Sequence, residues 1–131
     1  MNFEKELTSA CKRVFEQLGF GLAETVYEKA LMYELRTHKH TVDNQVYIEL
    51  LYTDSKGEKH HVSNLILDLV VKDINTVIEL KTIKGSLKQD SKEYYQVKRY
   101  QRNEGFERAY LINFSPCGPE IYDCSSGFIR I

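Results

Sequence analysis

The chain opens with apolar residues three and four apart. Phe3, Leu7, Cys11, Val14, Phe15 and Leu18 share one face of a 3.6-residue period, which predicts an amphipathic helix over 2–18 that Gly19 closes. Gly19 and Gly21 mark a bend, and Leu22, Val26, Ala30, Leu31 and Leu35 then predict a second helix over 22–38. At Thr41 the pattern changes. β-branched and aromatic residues dominate Thr41, Val42 and the run 46–52, a predicted strand, and Asp54-Ser55-Lys56-Gly57 supplies a turn. Two further strands follow over 60–72 and 76–82, joined by Asp73-Ile74-Asn75. Residues 87–103 are polar and tyrosine-bearing with neither Gly nor Pro, so they predict a helix that Gly105 ends. An apolar run over 109–114 predicts one more buried strand, and a tail broken by Pro116, Gly118 and Pro119 carries short strand-like pieces around 121–122 and 128–130.

Helices, a three-strand meander, a helix and a strand make an α/β (α+β) fold, with residues 1–131 read as a single domain. The helical crossover between the third and fourth strands favours a parallel pair there, so a mixed sheet is expected. No apolar run approaches the roughly 18 to 20 residues of a membrane span. The segment Met1-Asn2-Phe3-Glu4-Lys5-Glu6 has neither the basic nor the apolar region of a signal peptide, so an intracellular protein is expected, cytoplasmic or, if eukaryotic or viral, nuclear. Cys11, Cys117 and Cys124 are odd in number, form no CxxC pair, and read as reduced thiols. A net charge of −1 excludes a protein that coats nucleic acid through bulk basicity. Residues 81–108 nevertheless hold eight Lys or Arg against four Asp or Glu, a local basic stretch that could meet phosphates or serve only as a solvated helix face.

Three charges stand in strands that are otherwise apolar: Asp68 in one, Glu79 and Lys81 in the next. Burying them unpaired would cost several kcal/mol, so each needs a reason. Side chains alternate along a strand, which places Val77, Glu79 and Lys81 on one face. A two- or four-residue hairpin loop brings Asp68 opposite Glu79 or Lys81 and gathers all three, whereas an odd loop without a bulge separates them. Two carboxylates and an ammonium together suit Mg²⁺ or Mn²⁺, with the lysine beside an attacking hydroxide. The plain alternative is an Asp68–Lys81 ion pair with Glu79 at an edge. His60 and His61 precede the motif strand, but adjacent residues point to opposite faces, and neither is assigned a ligand role.

The flanking residues weigh toward the metal site through a resemblance. Leu67-Asp68 followed by Glu79-Leu80-Lys81 resembles the motif of the PD-(D/E)XK nuclease superfamily, with Leu67 where the motif name has proline. Gly21-Leu22-Ala23-Glu24-Thr25-Val26-Tyr27 resembles the signature of its GxxExxY family, and Gln96-Val97-Lys98-Arg99-Tyr100 the QxxxY motif of its exonuclease branch. That resemblance implies a restriction-endonuclease-like core of helix, three strands, helix and strand. It further implies Asp68, Glu79 and the Leu80 carbonyl as ligands of Mg²⁺ or Mn²⁺, and Lys81 as the group that positions water and balances charge. Glu24 would act through a metal-bound water or a second ion, with Gln96 and Tyr100 touching the scissile phosphate. Apart from the resemblance, Lys98 and Arg99, interleaved with tyrosines on the same helix, could grip phosphates or simply cover the sheet with amphipathic side chains. Read alone, Glu24 could merely complement a helix dipole, and Tyr27 reads as a packing residue.

The expected activity is therefore hydrolysis of DNA phosphodiester bonds by a metal-activated water, leaning toward end-processing. A catalytically silent nucleic-acid- or protein-binding module and an RNA-directed nuclease are the competing readings. The size and mild charge leave room for a homo-oligomer.

Overall fold

The computed structural model describes residues 2–131. Helix α1 (Phe3–Leu18) is capped by Asn2, whose side chain accepts from the Lys5 amide, and it ends at Gly19 with φ 67°. Helix α2 (Glu24–Thr37) begins two residues later than the apolar spacing predicts. Leu22 and Val26 are 42% and 40% exposed, and the buried face consists of Tyr27, Glu28, Met32 and the expected Leu31 and Leu35. The reason is local. Tyr27 donates its hydroxyl to the Gly19 carbonyl at 2.5 Å and accepts from the Leu22 amide at 3.3 Å, which ties down residues 19–22 as a loop.

Strands β1 (Val42–Thr53) and β2 (Lys59–Val71) form a long antiparallel hairpin whose outer half is exposed on both strands. A 3₁₀ turn over Lys72–Ile74 then leads into β3 (Thr76–Lys81), antiparallel to β2. The helix predicted over 87–103 is shorter than expected. Helix α3 (Lys92–Glu104) starts only where Ser91 caps it by accepting from the Tyr94 amide, and Leu87 is buried within the preceding irregular segment. Strand β4 (Arg108–Ser115) lies parallel to β3, with β5 (Gly118–Asp123) and β6 (Ile129–Arg130) antiparallel beyond it. The six-stranded sheet runs in chain order and is mixed, in an α/β arrangement of the kind the element pattern predicts.

Two cores flank this sheet. Beneath α1 and α2, Leu69, Val71, Ile78, Leu80, Tyr110, Ile112 and Phe114 pack together, and Tyr27 stacks on Phe114 with ring centroids 4.7 Å apart. On the other face, Val77, Ala109, Leu111 and Tyr122 meet Val97 and Tyr100 of α3. Alternation along β3 explains the division. Ile78 and Leu80 serve the first core, Val77 serves the second, and Glu79 and Lys81 share the face of Val77. Among the described residues, no helix is long and apolar enough to cross a membrane.

Candidate active site

The β2–β3 ladder is short: Leu69, Val70 and Val71 pair with Ile78, Val77 and Thr76. Residues 72–75 form a four-residue connection, and the register continued by one step brings Asp68 opposite Glu79. Pairing stops there. Beyond this point β2 remains bonded to β1 while β3 remains bonded to β4, so the two strands part like the arms of a fork. The Asp68 carboxylate fills the crotch. Its Oδ2 accepts the Leu80 amide at 2.8 Å, where a ladder carbonyl would otherwise sit.

Glu79 is 3% exposed, yet its Oε1 has no hydrogen-bond partner. Lys81 Nζ stands 3.8 Å from Glu79 Oε2, an ion pair at the limit of contact. Burial, followed by the neighbouring Asp68 charge, pushes the Glu79 carboxyl up to about 9 against the opposing pull of Lys81. Desolvation also raises Asp68, opposed by the Leu80 amide, by a hydrogen bond that the protonated Glu79 carboxyl donates to it, and by Lys81. Two desolvated carboxylates with one distant ammonium are a poor structural ion pair. They are a good divalent-cation cradle, because hard oxygens with an open lone pair are what such an ion requires, and Glu79 Oε1 is an orphaned oxygen of that kind.

Because the sheet forks here, groups from both of its faces converge. Glu24, half-buried on the first turn of α2, has its carboxyl raised by desolvation, lowered by Lys81 and raised again by Asp68, so it belongs to the same electrostatic cluster. From the opposite face comes Tyr100, whose hydroxyl accepts from Gln96 Nε2 at 2.7 Å. Its phenol is held up at about 12 by burial and by Glu79. Leu80 sends its side chain into the first core, so only its backbone reaches the fork. Arg99 is exposed and, among the described residues, has no ion-pair partner. Lys98 sits apart from these groups. Its ammonium donates to Gln101 Oε1 at 2.9 Å and to the Cys124 and Ser125 carbonyls at 2.8 and 3.1 Å, so its donors tie α3 to the tail.

A model of the PD-(D/E)XK nuclease superfamily matches residues 2–122. The chain belongs to the PD-(D/E)XK nuclease superfamily. The forked strands carrying Asp68, Glu79 and Lys81 lie within the matched span. Among solved structures, this PD-(D/E)XK chain is similar to the crystal structure of SSO0001, at 15% identity and a TM-score of 0.53, over 86% of this chain and 61% of that one. The chain thus spans about 61% of the length of that relative, and the likeness concerns fold alone. No curated protein matches it.

Two residues around the fork, Glu28 and Asn113, show little in the sequence. Glu28, one turn after Glu24, is a buried carboxylate held by the side-chain amides of Asn44 at 3.1 Å and Gln45 at 2.8 Å. Asn113, on β4 opposite Lys81, exchanges bonds with Ile83 and also binds the Gly85 carbonyl, which secures the chain leaving β3. The only sequence signal for Glu28 is its i+4 spacing from Glu24, and Asn113 shows only as a lone polar residue in an apolar strand. Asp54, Glu58 and His60, at the exposed hairpin tip, present ligand atoms within 4.8 Å of one another. There Asp54 already accepts from the Lys56 and Glu58 amides and pairs with His60 at 2.8 Å, which is the bonding of a closed turn.

Proposed function

We propose that this chain is a metal-dependent deoxyribonuclease of the GxxExxY family whose active site is the β2–β3 fork, acting as a single domain. The observation that carries the reading is the buried, unpartnered Oε1 of Glu79, a carboxylate that lies beside Asp68 and whose other oxygen is 3.8 Å from Lys81 Nζ. Asp68, Glu79 and the Leu80 carbonyl would hold Mg²⁺ or Mn²⁺, with Glu24 contributing from α2. When bound, the ion supplies Lewis-acid charge to the phosphate and acidifies a water. Lys81 orients that water and balances the negative charge that builds on the phosphorus oxygens. Gln96 fixes the Tyr100 hydroxyl, and the pair faces the scissile phosphate, while exposed Arg99 grips the backbone nearby. The Gln96 and Tyr100 pair favours end-processing, and Tyr27, which pins the Gly19–Leu22 loop, supports the GxxExxY assignment.

Cleavage of linear, circular and branched DNA and of RNA, with Mg²⁺ or Mn²⁺, tests the proposal. The wild type should cut DNA in preference to RNA, and linear ends faster than circles. Glu79→Ala and Lys81→Ala should each lower turnover by about 100-fold or more. Equal activity in all three proteins would overturn the reading. An RNA preference would change its substrate while leaving the chemistry in place.

A further inference from the structure

Besides Glu79, Glu28 is the only buried carboxylate among the described residues. Its two oxygens are both engaged, Oε1 by Asn44 Nδ2 and Oε2 by Gln45 Nε2. A carboxylate held by two uncharged amides is not neutralised: burial raises its carboxyl, the Gln45 and Asn44 amides pull it down, and the charges of Asp68 and Glu24 raise it again. Such an arrangement is costly unless it fixes something.

What it grips is the irregular part of the sheet. Asn44 pairs with Leu69 and Val46 with Leu67, but Gln45 and Asp68, which lie opposite each other between those pairs, do not pair. Gln45 has a φ of 51°, a left-handed backbone that a residue with a side chain adopts only when its surroundings hold it. Across from it the alternation of β2 slips. Leu67 and Val70 both serve the core beneath α3, while Leu69 and Val71 serve the other. The slip frees the Asp68 carboxylate from regular strand geometry and lets it cap the Leu80 amide at the fork.

We propose that Glu28 is a positioning residue for Asp68. Through the amides of Asn44 and Gln45 it clamps the left-handed kink at Gln45, and the kink keeps the break opposite Asp68 open. Glu28 acts in this role through Asn44 and Gln45, each of its oxygens accepting from one of their amides. The proposal rests on the reading of Asp68 as a ligand in a nuclease site, and one of its readouts is independent of that reading.

The test is a double-mutant cycle between Glu28 and Gln45. Glycine adopts a left-handed φ without the steric penalty, so Gln45→Gly keeps the kink without a clamp. Glu28→Ala should lower kcat by about 10- to 100-fold while KM for DNA stays within about 2-fold, the mark of a displaced ligand rather than lost binding. In the Gln45→Gly background the same change should cost about 3-fold or less. Glu28→Gln, which can still bond both amides once the Asn44 amide is reversed, should retain at least about a third of the wild-type kcat. Hydrogen exchange at the Leu80 amide reads the Asp68 position directly. It should quicken by about tenfold in Glu28→Ala relative to the other β3 amides, and the increase should disappear in the double variant.

Equal losses in both backgrounds would overturn the proposal and make Glu28 a charge or ligand in its own right. So would a Glu28→Gln variant as impaired as the alanine, or Leu80 exchange that moves only in step with the rest of β3. If the wild type has no cation-dependent nuclease activity, the proposed function fails, and the Leu80 exchange in the soluble Glu28→Gln, Glu28→Ala and Gln45→Gly proteins still decides the positioning role.

Discussion

Strands β2 and β3 are one hairpin with two unlike ends. At the closed end, Leu69, Val70 and Val71 pair in register with Ile78, Val77 and Thr76, and all six are buried. At the open end the ladder is gone, and Asp68, Glu79 and Lys81 occupy the space it leaves. Both ends are built from the same strands within a few residues of each other. The difference teaches that regular pairing and apolar packing hold the scaffold at one end, so that the other can hold unpaired charge. Desolvated carboxyl groups without full hydrogen bonding destabilise a fold by several kcal/mol, and the closed ladder nearby offsets that cost.

Paired substitutions should separate the two ends most sharply. At the open end, Asp68→Asn should reduce cleavage by about 100-fold or more while leaving the urea midpoint unchanged or higher, because it removes one of two crowded carboxylates. At the closed end, Val71→Ala should cost about 2 kcal/mol of stability in the same urea titration, with undiminished activity per folded molecule. Loss of activity without loss of stability at the closed end would collapse the distinction.

A smaller effect sharpens the comparison through pH. Glu79 binds its proton far more tightly in the folded chain than in the unfolded one, being raised from 4.5 to about 9. Stability present below the unfolded value is therefore lost as pH rises through that window. The cation-free protein should melt at progressively lower temperature between pH 5 and pH 9, and Glu79→Gln should flatten the slope. A wild-type slope of the opposite sign would place Glu79 in an environment that favours its charge.

Much of this hairpin was legible from residue order alone. Alternation and loop parity limited Asp68 to a place opposite Glu79 or Lys81 if the loop was even, and the connection of 72–75, one residue longer than the expected 73–75, selects the register that continues to Glu79. The helical crossover likewise led to the parallel β3–β4 pair. Other parts were not legible. Leu22 and Val26 lie on a helical spacing but remain exposed, since hydrogen bonds from Tyr27 to the loop before α2 set where that helix begins. Residues 87–91 contain no breaker, yet they stay out of α3 because Ser91 offers a better cap and Leu87 a better burial. The kink at Gln45 and its grip by Glu28 arise from tertiary contacts between α2 and β1, to which no local pattern points. The spacing of Lys98 leaves phosphate contact and packing both open, and its bonds to Gln101, Cys124 and Ser125 depend on the tail folding back on α3, which no local pattern shows.

The most direct test of the fork as a metal centre is calorimetric titration of the nucleic-acid-free protein with Mn²⁺. The account predicts saturable binding in the wild type, loss of about tenfold or more in affinity in Asp68→Asn and in Glu79→Gln, and no change in Asp54→Asn at the hairpin tip. Binding that survives both fork substitutions, or that vanishes with Asp54→Asn, would contradict it.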